Sequence, residues 1–254
     1  RSLFSKEKFS FVFHMAAQAG IRYSFENPQA YIDTNINGFS NILELCRKSD
    51  SPKLFYASSS SVYGDSKRTP FTEDENSINP ISFYGLTKKI NEELAHMYYN
   101  VFRVNSIGLR FFTVYGPWGR PDMALFKFTR KIINNETIQI YNNGEHRRAF
   151  TYIDDIISSI ILLFEKYRYE NKFHDIVNIG GDTSISLMKF VKIIENAINM
   201  KAKIEFLDLQ KGDVKDTSSS CKKLNSLIGF TPKISLEKGI VNFIDWYKDY
   251  NNLS

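Results

Sequence analysis

Three short apolar runs in the first half of the chain alternate with two long amphipathic segments, and this order restricts the possible folds more than any other feature of the sequence. The runs lie at residues 9–17, 53–57 and 104–112, and each has the length of a buried parallel strand. The segments between them, 31–48 and 82–101, carry apolar residues at helical spacing. A β-α-β-α-β order with right-handed crossovers predicts an α/β fold with a doubly wound parallel sheet.

The pattern is looser after residue 116 and predicts a smaller α/β lobe. We expect residues 1–116 to form most of the sheet domain, with 153–180 returning to it, and residues 117–254 to form mainly the lobe. A ligand cleft is expected where the two parts meet. Helices are predicted over 123–135, 153–167, 187–199, 218–228 and 236–250, and short strands over 138–140, 148–152, 175–179 and 204–207.

The charge and the apolar content favour a globular protein with a small anionic ligand. Apolar residues make up 43% of the chain, and the net charge is +5. The basic residues are dispersed, so nucleic acid is not expected as a partner, whereas an anionic substrate fits the charge. No apolar run reaches the ~18 residues that a membrane span requires, so no membrane partner is predicted.

The cysteines and histidines indicate neither a disulfide nor a metal site. Cys46 and Cys221 lie far apart in the sequence, and both fall in predicted helical segments. This usage is typical of a reducing compartment, and we expect a cytoplasmic protein. The Cys and His residues do not have the spacing of metal ligands, so no metal is predicted.

A glycine-rich phosphate loop is missing near the start of the sequence. The first glycines are Gly20 and Gly38. Residues 9–17 already have the character of a strand in the middle of a sheet. We therefore expect the first strands and the phosphate loop of this domain to lie upstream of Arg1, so that the domain is truncated at its N-terminus.

Tyr84 and Lys88 lie four residues apart near the start of the second predicted helix, so their side chains share one face. An ammonium group beside a phenol favours the phenolate and lowers the pKa of the phenol. This makes Tyr84 a candidate general base. A second Tyr-x-x-x-Lys, formed by Tyr63 and Lys67, lies among turn residues and is set aside. Taken alone, Tyr84 and Lys88 also fit an ordinary surface pair.

A run of serines at 58–61 follows directly after the predicted strand 53–57. The carboxyl ends of parallel strands are where doubly wound sheets bind ligands. A serine hydroxyl there can hydrogen-bond a substrate hydroxyl that Tyr84 deprotonates. The alternative is a serine-rich turn without chemistry, but a strand-end serine about 25 residues before a helical Tyr-x-x-x-Lys is a rarer coincidence.

With these features together, the chain resembles the extended short-chain dehydrogenase/reductases of the NAD-dependent epimerase/dehydratase family, and among them the UDP-glucuronate 4-epimerases. The resemblance implies a Rossmann-like NAD-binding domain over 1–116 and a lobe that binds the nucleotide sugar. It covers essentially the whole chain. The segments that carry it are HMAAQAGIRYS (14–24), TNINGFSNILE (34–44), YASSSSVYG (56–64), YGLTK (84–88), LRFFTVYGPWGRPDMA (109–124), RAFTYIDD (148–155), VNIGG (177–181) and QKGDV (210–214).

The resemblance implies catalytic roles for three residues and cofactor-binding roles for several more. Ser59 matches the catalytic Ser/Thr of the family, Tyr84 matches its base, and Lys88 matches the activator that also holds the nicotinamide ribose. The residues implied to lie near NAD are Met15, Ala16, Ala17, Asn35, Ser58, Tyr84, Lys88, Phe111 and Val114.

Substrate-binding roles follow from the same resemblance. Thr113 and Arg120 match positions that contact the sugar carboxylate, and arginine suits a carboxylate because charge-assisted pairs are strong. A surface loop arginine is the alternative for Arg120. The other positions implied for the nucleotide and the sugar are Arg22, Ser59, Ser60, Tyr141, Arg148, Gln210 and Asp213.

The implied reaction is NAD-dependent epimerisation at C4 of a UDP-sugar through a transient 4-keto intermediate, and UDP-glucuronate to UDP-galacturonate is favoured, with a role in polysaccharide biosynthesis. Sugar 4,6-dehydratases carry an Asp-Glu pair where this chain has Ser60 and Ser61. Epimerisation of another UDP-hexose, galactose or an N-acetyl sugar, stays open, as does an inactive scaffold. The helices predicted over 31–48 and 82–101 are the pair with which relatives form a homodimer.

The sequence also departs from the family pattern at a few positions. Gln210 stands where many relatives have arginine, and Ala149 stands where an aspartate is usual. Residues 218–220 are serines in place of a YAD-like stretch. These departures fall on the predicted diphosphate and ribose contacts and leave the predicted catalytic residues unchanged.

Overall fold

A four-stranded parallel sheet organises the first half of the chain. The computed structural model describes residues 1–75, 78–208 and 216–253. Each neighbouring pair in the sheet is parallel, so the doubly wound parallel sheet predicted from the sequence is confirmed. The strands are β1 (Phe11–His14), β2 (Lys53–Ser59), β3 (Ser106–Phe111) and β7 (His174–Ile179), in the spatial order β1-β2-β3-β7.

The register of this sheet places a polar row across its carboxyl end. Ser58 of β2 lies beside Arg110 of β3, and Arg110 lies beside Asn178 of β7. Neighbouring residues in register share a face of the sheet, and side chains alternate between faces along a strand. The polar row therefore lies on one face, next to the apolar residues Leu54 and Tyr56 that precede Ser58.

Helices α4 (Gly38–Lys48) and α5 (Phe83–Phe102) cover the face that carries the polar row. Apolar side chains of the two helices, among them Phe39, Leu43 and Ala95, pack with Leu54 and Tyr56 of β2. The helix predicted over 31–48 is present, but its first part is a π-helical turn. The helical segments in this first part of the chain are α1 (Ser2–Lys6), α2 (Ile21–Glu26), α3 (Pro28–Tyr31), the π-helical turn Ile32–Asn37, α4 (Gly38–Lys48) and α5 (Phe83–Phe102).

The opposite face of the sheet is covered by α7 (Ile153–Tyr167) and α9 (Lys222–Ile228). Leu163 of α7 and Leu224 of α9 are fully buried in one apolar cluster with Leu109 of the sheet. The first domain thus has three layers, with the sheet between two layers of helices. Two later parts of the chain, α7 and α9, return to this domain.

The remaining elements form a smaller α/β lobe. Strands β4 (Thr113–Tyr115) and β10 (Asp216–Thr217) pair in parallel with β6 (Arg147–Tyr152), and β8 (Ser184–Ser186) pairs with β6 antiparallel. Strand β5 (Thr137–Tyr141) pairs with β9 (Lys203–Leu207) in parallel. The lobe has its own apolar core around Phe190, Phe243 and Ile240. Its elements are β4 (Thr113–Tyr115), α6 (Ala124–Ile133), β5 (Thr137–Tyr141), β6 (Arg147–Tyr152), β8 (Ser184–Ser186), α8 (Leu187–Ile198), β9 (Lys203–Leu207), β10 (Asp216–Thr217) and α10 (Leu236–Tyr250).

One predicted helix begins later than expected. The sequence predicts a helix over 218–228, whereas α9 begins at Lys222 and Cys221 precedes it. The backbone of residues 218–220 instead pairs with Phe71: the Phe71 amide donates to the Ser218 carbonyl, and the Ser220 amide donates to the Phe71 carbonyl, both at 2.9 Å. This contact between distant parts of the chain overrides the local helical pattern.

Candidate active site

The tip of β2 is fixed by a serine cap. Strand β2 ends at Ser59, and a short 3-10 turn (Ser60–Tyr63) follows it. The Ser59 hydroxyl accepts a hydrogen bond from the Ser61 amide at 3.1 Å, which satisfies a backbone donor at the start of the turn. The cap holds the Ser59 side chain at the carboxyl edge of the sheet, where ligands of such folds bind.

Helix α5 begins directly against this turn. Its first residue is preceded by Ser82, whose hydroxyl accepts a hydrogen bond from the Gly85 amide at 3.0 Å. Gly85 lies so close to the Ser61 carbonyl that a Cβ atom at position 85 would clash with it. The missing side chain therefore lets the first turn of α5 approach the strand tip and brings Tyr84 next to Ser59.

The structure brings Ser59, Tyr84 and Lys88 together. The Ser59 hydroxyl lies within hydrogen-bonding reach of the Tyr84 phenol. Lys88 Nζ lies 6.0 Å from the centroid of the Tyr84 ring and donates a hydrogen bond to the Ala57 carbonyl at 2.7 Å. A phenol, an ammonium group and a hydroxyl thus surround one small volume at the end of β2.

Burial dominates the protonation of the phenol and the ammonium group. Burial raises the pKa of Tyr84, and the Ser59 hydroxyl and the charge of Arg120 oppose this rise. Burial lowers the pKa of Lys88 to about 8, against the opposing charge of Glu92. The expectation that the pKa of Tyr84 is lowered is wrong for this structure, because burial outweighs the opposing effects of the Ser59 hydroxyl and the Arg120 charge.

Several residues predicted to bind NAD follow β1 or lie at the end of β3 and in β4, and their chemistry fits the cofactor. An ammonium group has three N–H donors, so Lys88 can bind ribose hydroxyls as well as Ala57. Apolar side chains suit a flat ring such as nicotinamide. These residues are exposed or half-buried, and they are Met15, Ala16, Ala17, Phe111 and Val114.

Two other residues predicted near the cofactor form hydrogen bonds within the protein. Asn35 is buried, accepts a hydrogen bond from the Gln18 amide at 2.8 Å and donates one to Thr87 Oγ1 at 3.0 Å. The Ser58 hydroxyl donates to Glu92 Oε1 at 2.6 Å. Both side chains therefore connect the strand ends to the helices around the site, and their direct contact with NAD stays a prediction.

Arg120 lies on the loop between β4 and α6 and reaches toward the phenol. Its charge opposes the burial-driven rise in the pKa of Tyr84. Its Nη2 atom lies 3.6 Å from the position that a Cβ atom of Gly20 would occupy, so it adjoins the loop after β1. Its guanidinium group also forms a bidentate salt bridge with Asp122, in which Nε donates to Oδ1 at 2.9 Å and Nη2 donates to Oδ2.

The other predicted substrate residues lie on several different elements of the fold. The Arg22 guanidinium group of α2 lies over the Tyr141 ring at 5.1 Å from its centroid, which joins α2 to the lobe. Thr113 is half-buried at the start of β4, and Ser60 begins the 3-10 turn after β2. Arg148 is half-buried on β6 and donates to the Arg147 carbonyl at 2.9 Å. Gln210 and Asp213 lie outside the described residues.

Sequence reasoning missed a buried ion pair behind the site. Arg110 Nε donates to Glu92 Oε1 at 2.8 Å, and Arg110 Nη2 donates to Glu92 Oε2 at 2.9 Å. The two side chains retain only 3% and 1% of their exposure. Two signals in the sequence could have revealed the pair: Glu92 follows Lys88 at a spacing of four on one helix, and Arg110 lies inside an apolar strand.

Residues 1–75, 78–208 and 216–253 contain neither a cluster of metal-binding side chains nor a helix suited to a membrane. No group of three or more His, Cys, Asp or Glu side chains there could hold a metal ion. In the same ranges, no helix combines the length and the apolar character needed to cross a bilayer.

A serine at a strand tip, followed by a helical tyrosine and lysine beside a parallel sheet, defines an enzyme of the short-chain dehydrogenase/reductase type. The model of the NAD dependent epimerase/dehydratase family matches residues 1–180. The chain therefore belongs to this family, within the extended short-chain dehydrogenase/reductases, as its sequence predicts.

Similar proteins support this assignment. The chain is 45% identical to protein CapI of Staphylococcus aureus over 98% of its own length and 78% of that protein. It is 43% identical to a probable UDP-glucuronate 4-epimerase of Rhizobium meliloti, over 93% of this chain and 74% of the relative. Its fold matches the crystal structure of UDP-glucuronic acid 4-epimerase from Bacillus cereus in complex with UDP-glucuronic acid and NAD. That match has a TM-score of 0.91 and 32% identity, and covers 98% of this chain and 78% of the other.

Proposed function

We propose that this protein is an NAD-dependent 4-epimerase that interconverts UDP-glucuronate and UDP-galacturonate. The observation that carries the proposal is the position of Arg120 near Tyr84, whose phenol also lies within hydrogen-bonding reach of the Ser59 hydroxyl. In a glucuronate ring the C4 hydroxyl and the C5 carboxylate are attached to adjacent carbons. A phenol that acts on the hydroxyl and a guanidinium group beside it suit these two substituents at once. The similarity to the Rhizobium and Bacillus epimerases supports the same substrate.

The proposed chemistry assigns a separate task to each residue of the site. Tyr84 accepts the proton of the C4 hydroxyl as general base, and the Ser59 hydroxyl orients that hydroxyl by a hydrogen bond. Lys88 carries a positive charge beside the phenol and holds ribose hydroxyls. NAD, when bound, supplies the hydride acceptor and donor for C4. After the C4 carbonyl is presented by its other face, Tyr84 returns the proton and the configuration at C4 is inverted.

The carboxylate contact also protects the substrate. A 4-keto uronate is a β-keto acid and loses CO₂ readily. A carboxylate held by Arg120 and Thr113 is stabilised as an ion, which disfavours its departure as neutral CO₂. Ser60 and Ser61 cannot supply the acid and base that eliminate water from C5 and C6, because hydroxyl groups lack a suitable pKa. Epimerisation therefore fits these side chains better than dehydration.

A second candidate is a 4-epimerase of a neutral UDP-hexose. The pairing of Arg120 with Asp122 favours it, because the guanidinium charge is already balanced by a carboxylate of the protein. A neutral sugar with a hydroxymethyl group at C5 does not have to break that pair. The Asp122 side chain is 55% exposed, however, so an incoming uronate carboxylate can replace it at a small cost.

The deciding experiment is incubation of the purified protein with NAD and UDP-glucuronate, followed by chromatography and NMR of the sugar products. The expected product is the C4 epimer, UDP-galacturonate, and the reverse reaction should give UDP-glucuronate. UDP-glucose and UDP-N-acetylglucosamine serve as competing substrates. A UDP-pentose or a 4-keto-6-deoxy sugar as the main product contradicts the epimerase proposal, and turnover of the neutral sugars alone supports the second candidate. If none of these substrates is turned over, the result supports an inactive scaffold instead of an enzyme.

The same proposal includes a division of the chain and a homodimer. Residues 1–116, with 153–180, form the NAD-binding part, and residues 117–254 mainly bind the UDP-sugar. Exposed apolar side chains Leu86, Met97 and Val101 lie along α5 and supply a face for a second copy of the chain, together with α4. Free thiols at Cys46 and Cys221 suit a cytoplasmic enzyme.

A further inference from the structure

Successive turns of α5 are attached to consecutive residues at the end of β2. Tyr84 lies next to Ser59, and Lys88 Nζ donates to the Ala57 carbonyl at 2.7 Å. One turn further, Glu92 Oε1 accepts a hydrogen bond from the Ser58 hydroxyl at 2.6 Å. Residues four apart on a helix share a face, so these three contacts lie in one line.

Glu92 is itself held by Arg110. The Arg110 guanidinium group binds both carboxylate oxygens of Glu92, at 2.8 and 2.9 Å, and Nη1 donates to the Tyr63 hydroxyl at 2.7 Å. The Tyr63 hydroxyl donates in turn to Asn178 Oδ1 at 2.8 Å. The chain of contacts therefore joins β2, β3, β7, α5 and the turn after β2 at a single carboxylate.

Stability alone does not explain this arrangement. Desolvation of two charges costs as much as their attraction returns, so a buried ion pair stabilises a fold little or not at all. Apolar side chains of similar size would fill the same space between α5 and the sheet. Glu92 and Arg110 are both 2% exposed, and a pair so deeply buried is better explained by the position it imposes on its neighbours.

Glu92 also supplies a charge to the interior around Lys88. Burial lowers the pKa of Lys88 to about 8, and the negative charge of Glu92 acts in the opposite direction. The other titratable groups near the ammonium are Tyr84 on the same helix and His14 at the end of β1, and burial and the Lys88 charge lower the pKa of His14. Arg110 offsets part of the Glu92 charge.

We infer that Glu92 is a positioning residue of the active site, which holds Ser58 and the neighbouring Ser59 at the separation from α5 that Tyr84 and Lys88 require. The inference rests on the proposed function of Ser59, Tyr84 and Lys88. Glu92 does not touch the substrate in this role, and it acts through the strand tip and through the charge on Lys88.

The test compares Glu92→Gln with the wild-type enzyme in the UDP-glucuronate assay across a pH series. The glutamine keeps the size of the side chain and an acceptor for Ser58, but it removes the charge. We expect kcat to fall about 10- to 100-fold with a KM within about threefold, because a small misplacement of reacting groups costs about this much. The alkaline limb of the kcat profile should move to lower pH, because Lys88 then loses its proton more easily.

Two further variants separate positioning from folding. Asp155 is a matched control: it is a buried carboxylate on α7 that accepts from the Lys233 and Ile234 amides at 3.0 and 2.8 Å, away from the site. Asp155→Asn should lose stability and keep the kcat and the pH profile of its folded fraction. The double variant Glu92→Leu with Arg110→Met removes the pair without an unpaired charge, and it should fold and still lose kcat.

The outcomes distinguish this inference from the proposed function. If the wild-type enzyme makes no C4 epimer, the proposed function fails. The Lys88 pKa, followed by NMR of its ¹³Cε resonance and assigned with Lys88→Met, then provides the readout in the variant. In that case a lower Lys88 pKa in Glu92→Gln supports the electrostatic part of the inference, and where the wild type turns over, it supports the inference together with a fall in kcat. A folded variant with wild-type kcat, or with an unchanged Lys88 pKa, overturns it.

Discussion

Replacement of Arg120 by methionine tests the carboxylate contact on which the proposed substrate depends. Methionine keeps most of the length of the side chain and removes its charge. Hydrogen bonds to a charged group contribute about 1.5–3 kcal/mol, which sets the gross loss for a substrate carboxylate. The wild-type enzyme must first release Asp122 from Arg120, and exposed pairs of this kind contribute about 0.2–1 kcal/mol.

The difference between these two terms gives the expected effect. A net loss of about 1–2 kcal/mol corresponds to a fall of about 5- to 30-fold in kcat/KM for UDP-glucuronate. The Arg120 side chain is 45% exposed, so solvent keeps the effect below that of a buried pair. A neutral UDP-hexose makes no ion pair with position 120, and its kcat/KM should change by less than about twofold.

The assay is steady-state epimerisation of UDP-glucuronate and UDP-glucose by the wild-type protein and Arg120→Met, at the same pH and ionic strength. Arg168→Met is the matched control, because Arg168 forms a similarly exposed pair with Glu165 at 3.0 Å on α7. The control should leave both substrates unaffected. Equal losses for the uronate and the neutral sugar in Arg120→Met would refute the assignment of Arg120 to the carboxylate.

Three further changes test other parts of the site. Tyr84→Phe removes the proposed base and should lower kcat about 10²- to 10⁴-fold. Calorimetry should show that the variant binds UDP-glucuronate with an affinity within a fewfold of wild type. Substantial remaining turnover would exclude Tyr84 as the base. Lys88 has a pKa of about 8 in the fold against 10.5 as a free side chain, so its charge destabilises the fold fully below about pH 8, and the penalty fades as the pH rises toward 10.5. Lys88→Met should therefore abolish turnover but raise the free energy of unfolding near neutral pH by about 2 kcal/mol. Removal of the buried charge stabilises the fold by about 3 kcal/mol, and loss of the hydrogen bond to Ala57 costs about 1 kcal/mol. A lower melting temperature of this variant would contradict this reasoning. Gly85→Ala places a methyl group against the Ser61 carbonyl and should cost about 1–3 kcal/mol of stability together with turnover. The control for the loss of a glycine is Gly38→Ala at the start of α4, where φ is -60° and the nearest atom to an added Cβ is 3.7 Å away.

Features with a local cause could be predicted from the sequence. The alternation of apolar runs and amphipathic segments predicted the parallel sheet, because strand and helix periods are local properties of the chain. The spacing of Tyr84 and Lys88 predicted that they share a helix face, and the structure places both at the tip of β2. The family assignment, made from short motifs, is confirmed by the match to residues 1–180.

Features that depend on distant contacts could not be predicted in the same way. Glu92 and Arg110 are charged residues, which are usually exposed, and only the packing of α5 on β3 shows that they pair in the interior. The start of α9 is displaced because residues 218–220 bond to Phe71, which lies far away in the sequence. The pKa of Tyr84 also depends on burial, which a spacing of four residues does not reveal.

The polar row formed by Ser58, Arg110 and Asn178 has a consequence for how the sheet assembles. If β3 slipped by one residue against β2, Arg110 would turn to the opposite layer and meet Leu163 and other apolar side chains of α7. A guanidinium group without a carboxylate in that layer would cost far more than the lost packing. The ion pair thus raises the free energy of misaligned strands during folding. If both partners were replaced by apolar residues, the free-energy difference between the correct and the shifted register of β3 against β2 should become smaller.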